Sequence, residues 1–469
     1  MQCTHGFPPT FGFRKDSRKD AAVSGVQAAR TLTLDAVQVN AYASRSRAWC
    51  GEDVARGILG AMTTYTEAAG RMTPEERRIV ASTGVAHGLN HSIDLVYGAV
   101  LAVILIEFGT TNAVLGALAT VSWLAYAFTA IPAGEMADRL GSQRTVALSI
   151  GGAGVAALMA AAAPNVWVLG VALVLIGILG GLYHPAGLSL ITRGVRSRAR
   201  ALGVHGAGGN LGTALAPVIA AFIAGAWSWR AAFVVFAVLS IAVSIAAFRS
   251  PPDGEATRSD RPRPRLRAQS LLVPLALMFV INACFGFVFR GLTLFLPLHL
   301  SQNLGFDVFG FEPVVIGGAA ATIALLFGVA GQYAGGELGE RFRRERLLVP
   351  AAALTVPPLL VMGLWDGWLL LIGASAFVFF NFLAQPTAVA MISDYAAERL
   401  QGRMYGLTSL TGFGVGAFAG LGGGVLADRP GVQWVFVMLA GAAVLTVVCA
   451  MAINVYVMTR SEPEGISPV

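Results

Sequence analysis

Gly134-Glu135-Met136-Ala137-Asp138-Arg139-Leu140-Gly141-Ser142-Gln143-Arg144 is a short charged turn between two long apolar runs, and it decides how the rest of the chain is read. A second turn, from Gly336 to Arg346, carries Glu337, Glu340, Arg341 and Arg346 where the first carries Glu135, Asp138, Arg139 and Arg144. A charged turn at the same place in two halves of a hydrophobic chain implies an internal repeat, and repeats of this size in membrane proteins build two-bundle transporters. Carboxylates and guanidiniums at a membrane surface pair across helix ends. Asp138 with Arg139 or Arg144 therefore reads as a latch that holds neighbouring helices in one conformation and frees them in another. The alternative is a solvated turn whose arginines set topology alone.

Composition supports the membrane context. Of 469 residues, 55% are hydrophobic and 13% charged, and the mean hydropathy is +0.67, far from an ordinary soluble domain. The net charge of +7 comes almost wholly from arginine, since Lys15 and Lys19 are the only lysines, a bias that suits a GC-rich bacterial genome. The arginines cluster between apolar runs without interleaved aromatics, so they speak for topology and against nucleic-acid binding. Cys3, Cys50, Cys284 and Cys449 lack the paired spacing of a disulfide framework or zinc site.

Residues 1–78 are polar, mixed in charge and without a long apolar run or signal-peptide pattern. They read as a disordered extension, or as sequence upstream of a true start at Met72, the reading favoured by the confinement of both lysines to that stretch. Beyond it, apolar stretches long enough to cross a bilayer recur near 80–106, 112–134, 145–163, 166–192, 201–226, 231–248, 271–300, 313–335, 347–364, 367–393, 403–427 and 432–458. They predict an all-α membrane protein of twelve helices in two pseudo-symmetric bundles, 79–248 and 271–458. These are joined by a Pro- and Arg-rich linker at 249–270 and followed by a tail at 459–469. One side collects about 18 arginines between the spans and the other has Arg230 and Arg429, which places both termini in the cytoplasm by the positive-inside rule.

The first turn closely resembles the signature loop between the second and third helices of the major facilitator superfamily, Gly-x-x-x-Asp-Arg-x-Gly-x-x-Arg, with Gly134, Asp138, Arg139, Gly141 and Arg144 in the motif positions. In the second copy Glu340 replaces the aspartate and Phe342-Arg343 replaces Leu-Gly. The resemblance covers about residues 80–458 and implies two six-helix bundles around a central cavity, with transport by alternating access.

Further repeat signals lie in the fourth and tenth spans, where Tyr183-His184-Pro185-Ala186 answers to Ala384-Gln385-Pro386-Thr387, and just beyond them, where Arg200-Ala-Leu-Gly203 answers to Arg403-Met-Tyr-Gly406. A proline inside a membrane helix removes a backbone bond and bends it, so paired kinks are expected. The fifth span carries Gly206, Gly208, Gly209 and Gly212 ahead of Pro217, and the eleventh carries Gly412, Gly414, Gly416 and Gly420. Such small residues let backbones approach closely, for sliding or for static packing.

The first span is chemically the richest. His87, Asn90, His91 and Asp94 fall within roughly a 100° arc with Tyr97 at its margin. Ionisable groups at membrane depth are expensive and mark function or pairing. Three readings compete: a proton relay or substrate contact, a structural hydrogen-bond network, and metal coordination by His87, His91 and Asp94. The seventh span, the pseudo-repeat of the first, carries Arg290 where the first carries Asp94. This is either a cavity cation for an anionic substrate or the partner of Asp94 across the bundle interface.

His87, Asn90, Asp94 and Tyr97, with His184-Pro185 and the Gly-rich fifth span, resemble the fosmidomycin-resistance-type efflux branch of the superfamily. The resulting expectation is a monomeric, cofactor-free and metal-free transporter in the bacterial inner membrane that exports a small polar or drug-like compound in exchange for protons. Its candidate cavity residues are His87, Asn90, His91, Asp94, Tyr97, His184, Arg290 and Gln385. Uptake of an organic anion, motivated by Arg290, is the alternative transport reading. A non-transporting sensor or scaffold of the same fold is the alternative from another class. No nucleophile-base constellation or nucleotide loop suggests an enzyme.

Overall fold

Long apolar runs fold as helices because, away from water, a helix alone satisfies every backbone donor and acceptor within one segment. The computed structural model describes residues 72–196, 198–249, 272–305, 310–395, 407–408 and 410–460. The side chains of 198–200, 340, 393 and 460 lie outside that description. So do residues 1–71 of the expected extension at 1–78 (its last residues, from Pro74, are helical), nearly all of the 249–270 linker, most of the tail at 459–469, and the arginines at 399 and 403. The chain divides into two compact units, Met1–Glu76 and Arg77–Val469. In the first, Thr73 and Glu76 form a reciprocal capping box, with Thr73 N donating to Glu76 Oε2 at 2.8 Å and Glu76 N to Thr73 Oγ1 at 3.1 Å.

The second unit carries the spans, all helical. Among the described residues eleven helices are long and apolar enough to cross a membrane, and a bent pair, taken as one span, makes twelve. That pair is the first span, α1 (Pro74–Ala99) and α2 (Leu101–Glu107), bent by 47° at Val100 where one continuous helix was expected. α3 (Asn112–Leu140) and α4 (Ser142–Ala161) follow. The fourth span breaks at Leu182 into α5 (Val166–Gly181) and α6 (Tyr183–Gly194). The fifth and sixth are α7 (Arg198–Ala226) and α8 (Trp229–Arg249). The second half runs through α9 (Leu272–Asn303) and α10 (Pro313–Arg341) to a ninth span made of α11 (Arg344–Ala353) and α12 (Val356–Leu364). α13 (Trp368–Tyr395) is the tenth. The eleventh is α14 (Gly416–Leu426) between π-helical turns at Leu410–Val415 and Ala427–Gly431, and α15 (Gln433–Arg460) closes the chain.

The helical hydrogen-bond pattern is interrupted at one residue, Leu182, ahead of Pro185 and is continuous through Pro386. Pro185 has no N–H to offer the Gly181 carbonyl, which accounts for the interruption; Leu182 keeps right-handed helical dihedrals and Gly180 and Gly181 remain in α5. Pro386 follows Phe382, Leu383 and Ala384, all buried, and α13 runs through it unbroken.

Packing repeats between the halves. The second span packs on the fourth (α3 on α5) as the eighth packs on the tenth (α10 on α13), and the third packs on the sixth (α4 on α8) as the ninth packs on the twelfth (α11 and α12 on α15). Gly208 and Gly212 of α7 lie directly on the backbone at Gly84 and Gly88 of α1. In the second half Gly412 and Gly416 lie likewise on Gly286 of α9, so in each half the fifth helix of the repeat is seated on the first through backbone contact. The halves meet along two symmetric seams. Gly420 and Gly424 of α14 press on Gly116 and Asn112 of α3, while Gly318 of α10 presses on Pro217 and Ala221 of α7. Outward-facing Phe128, Ile131 and Val238 are each more than half exposed, as befits a surface bathed in lipid.

Candidate functional site

At the centre of the interface Asp94 of α1 and Arg290 of α9 form an ion pair, with the two side chains 12% and 4% exposed. Their helices are the first members of the two halves, so the pair bridges the halves. Asp94 Oδ2 takes the Arg290 guanidinium, and Oδ1 accepts from Trp123 Nε1 at 2.9 Å. The guanidinium lies among three aromatic faces, with Cζ at 4.7 Å from the Trp123 ring centroid, 5.2 Å from Phe413 and 5.7 Å from Tyr126. A cation over ring faces gains electrostatic stabilisation that grows with desolvation. Nε of Arg290 is buried without a hydrogen-bond partner, so one donor of the fork is held in reserve. Tyr126 OH in turn accepts from Asn90 Nδ2 at 3.2 Å, and Asn90 Oδ1 is buried and unpartnered.

The rest of the expected stripe divides. His87 and His91 do not approach the carboxylate; they join His184 of α6 and His205 of α7 in a separate cluster. His87 Nδ1 donates to the His205 carbonyl at 2.9 Å, which leaves its Nε2 as an acceptor, and His91 Nε2 donates to it at 3.1 Å. The His87 ring stacks on His205 at 4.2 Å and meets His184 edge-on at 5.0 Å between centroids, and Tyr183 lies parallel to both the His87 and His205 rings at 5.5 and 6.0 Å. The His87, His91 and Asp94 combination for a metal is therefore corrected. Asp94 is spent on Arg290 and Trp123, and the third nitrogen near the histidine pair belongs to His184.

Tyr97 is buried with its hydroxyl donating to the Leu115 carbonyl at 2.9 Å, so it ties α1 to α3. Gln385 is half-buried on α13, and the structure records no bond for it to Asp94 or Arg290. Trp123, Tyr126, Phe413 and His205 were absent from the candidate residues. The signal for the first two was their i, i+3 spacing amid small residues, and Phe413 and His205 sit inside or beside the two glycine motifs.

At the signature turn Gly141 has φ 91°, a conformation that lets α3 end and α4 begin without a linker. Asp138 does not pair with Arg139 or Arg144. Its partner is Arg193 at the end of α6, while Arg139 bonds Glu135 one turn back on its own helix. The reason is reach: α6 ends beside the turn, whereas Arg139 and Glu135 share one face at i, i+4 spacing. Arg144 is exposed. In the second half Arg341 bonds Glu337 as Arg139 bonds Glu135. The link from the turn to the tenth span is made by a different turn residue, Arg344 at the start of α11, which bonds Asp394 on α13 at 2.6 Å. Arg346 approaches Met458 Sδ at 3.7 Å. Both of these pairs lie inside one half. At the opposite end of the helices Asp428 does join the halves, accepting from the backbone N–H of Asn112 at 2.8 Å and of Ala113 at 2.9 Å at the N-terminus of α3.

The family model described as Major Facilitator Superfamily matches residues 81–420 and 309–468. Among relatives, a gallate transporter of Pseudomonas putida is 24% identical over 397 residues, 77% of this chain and 88% of that protein. A multidrug resistance protein B homolog of Mycobacterium tuberculosis is 31% identical over 150 residues, 31% of this chain, and the chain spans 28% of that relative's length. The tetracycline resistance protein, class C, of Escherichia coli is 27% identical over 302 residues, 59% of this chain and 72% of that protein. A crystal structure of a bacterial homolog to the human lysosomal transporter Spinster superposes with a TM-score of 0.62 at 19% identity, covering 85% of this chain and 100% of the other. The nucleoside transporter NupG superposes with 0.65 at 12% identity, covering 80% and 99%. The repeated turn, the doubled packing and the family match along the spans agree: the chain belongs to the Major Facilitator Superfamily, integral multi-pass membrane transporters of small molecules, and is not an enzyme.

Proposed function

We propose that the protein is a proton-coupled secondary transporter that exports a small polar or drug-like organic compound across the bacterial inner membrane, as a monomer with both termini cytoplasmic. The observation that carries this reading is the Asp94–Arg290 pair bridging the two halves at membrane depth. An ion pair there is costly to form and costlier to break one-sidedly, so a proton on Asp94 or an anion on Arg290 shifts the balance between conformations by several kcal/mol. In the scheme, protonation of Asp94 frees Arg290 and loosens the seam between α1 and α9, and release of that proton on the other side restores the pair. The ring faces of Trp123, Tyr126 and Phe413 around the guanidinium suit a flat, partly apolar compound with an acceptor group. The Asp138–Arg193 and Arg344–Asp394 pairs hold each half rigid as it rocks.

The stripe of His87, Asn90, Asp94 and Tyr97 with His184-Pro185 supports placement in the fosmidomycin-resistance-type efflux branch. Efflux relatives such as the tetracycline resistance protein support the export direction. A second reading, proton-coupled uptake of an organic anion, is favoured by Arg290 and by relatives named as gallate and gentisate transporters. Inverted and right-side-out vesicles with an imposed pH gradient, screened with drug-like compounds and aromatic carboxylates, separate the two. Export predicts accumulation in inverted vesicles only. Failure of the gradient to move any compound in either orientation would remove proton coupling.

A further inference from the structure

The histidine cluster is not used by the Asp94–Arg290 scheme. His87, His91 and His184 each offer one ring nitrogen, and the three nitrogens all lie within 4.8 Å of one another. His87 Nε2 and His91 Nε2 are 3.1 Å apart. Two imidazole nitrogens on one tetrahedral cation, each about 2.0–2.1 Å from it, stand about 3.3 Å apart. The His87–His91 pair is thus already at ligand spacing, as i, i+4 placement on α1 allows, and the His184 nitrogen, no more than 4.8 Å from either, closes the site by a turn of its side chain. Nε2 of His184 is buried with no hydrogen-bond partner, an unused ligand atom at the edge of the pair.

The outer shell is in place. His87 gives its Nδ1 proton to the His205 carbonyl at 2.9 Å, the contact that fixes a ligating histidine in the tautomer with Nε2 free. His205 and Tyr183 stack on the ring and fix its plane. Only His91 must move a proton, from Nε2 to Nδ1, and no net charge is gained or lost. Asp94 does not complete the set, because both its oxygens are engaged. The fourth position therefore falls to water. His91 and His184 are half-buried.

We infer that His87, His91 and His184 form a binding site for a divalent transition-metal cation of the Zn²⁺, Co²⁺ and Ni²⁺ group. A set of three neutral imidazoles selects these ions over Mg²⁺ and Ca²⁺, which take oxygen ligands. A bound cation ties α1 to α6 inside the first half. Because the His184 ring stacks at 6.0 Å on Phe413 of the second half, occupancy is also felt at the seam between the halves.

The test uses the full chain purified in detergent without a polyhistidine tag. Zn²⁺ titration calorimetry and Co²⁺ absorption are measured for the wild type, His91→Gln, His184→Gln and a control, His299→Gln, whose ring bonds the Met362 carbonyl in the other half. The expected result is about one cation per chain in a tetrahedral Co²⁺ spectrum, uncontested by excess Mg²⁺. His299→Gln should retain it. Both site variants should weaken it by more than about tenfold, the loss that even an outer-shell partner causes. Zn²⁺ should also raise the melting temperature of the wild type and not that of His184→Gln. If His91→Gln fails to fold, His184→Gln on the separate helix α6 carries the comparison alone. Absence of Zn²⁺ binding in the wild type, or equal affinity in His184→Gln, overturns the assignment.

Discussion

Replacing Asp94 with Asn removes one charge from a pair whose members are 12% and 4% exposed. The Arg290 cation is then left among Trp123, Tyr126 and Phe413 with its Nε already unpartnered, and a buried pair broken on one side costs about 3–5 kcal/mol. Asn retains an acceptor for Trp123 Nε1, so Asp94→Asn should fall near the lower figure, about 3 kcal/mol, and Asp94→Ala near the upper. Arg290→Gln leaves the carboxylate with Trp123 alone and should cost a similar amount. In the double variant Asp94→Asn with Arg290→Gln neither charge remains, so no uncompensated charge is left buried at the seam. The double should therefore be more stable than the sum of the singles by about 1–3 kcal/mol. Reversible unfolding in mixed micelles, followed by tryptophan fluorescence for the four proteins, measures this coupling. Additivity within about 0.5 kcal/mol would show that the pair bears no energetic relation across the seam, and the argument from it would fail.

Gly286→Ala must displace the Gly412 backbone and should destabilise the second half by about 1–3 kcal/mol, whereas Gly203→Ala meets open space and should be neutral or slightly stabilising. Melting temperatures compare the two, and equal effects would remove the close-approach argument. Asp428→Ala removes the acceptor for the Asn112 and Ala113 N–H groups at the N-terminus of α3 and should weaken that junction of the halves by about 0.5–2 kcal/mol. Thiol labelling of Thr111→Cys should rise in that background; unchanged labelling would show the carboxylate to be idle. Asp138→Asn and Arg193→Gln remove the same exposed pair, so each should change stability by no more than about 1 kcal/mol and slow turnover to a similar degree. Unchanged transport in both variants would leave the turn as a topology signal.

The twelve spans and their division into halves were legible because burial in lipid demands about 20 apolar residues per crossing, a pattern that composition alone exposes. The stripe on the first span and Arg290 on the seventh were legible because ionisable residues inside apolar runs are rare enough to stand out. Which of them meet was not. One arc on α1 serves two environments: Asp94 faces α3 and α9, and His87 and His91 face α6 and α7. That division is set by where neighbouring helices place Trp123 and His184. Likewise Asp138 could be read as charged and turn-borne, but its bond to Arg193 depends on α6 ending beside the turn, which the sequence around Asp138 does not show. Phe413 and Asp428 escaped notice because an aromatic in a glycine motif, and an acid near the end of an apolar run, acquire meaning only from the opposite half.

The most direct measurement is to reconstitute the wild type and Asp94→Asn in liposomes and record, for the same substrate, both accumulation driven by a pH gradient and exchange with no gradient. The account predicts that the wild type performs both and that Asp94→Asn exchanges substrate without accumulating it, because the amide keeps one acceptor, for Trp123 Nε1, but cannot cycle a proton. Full gradient-driven accumulation by Asp94→Asn would contradict it.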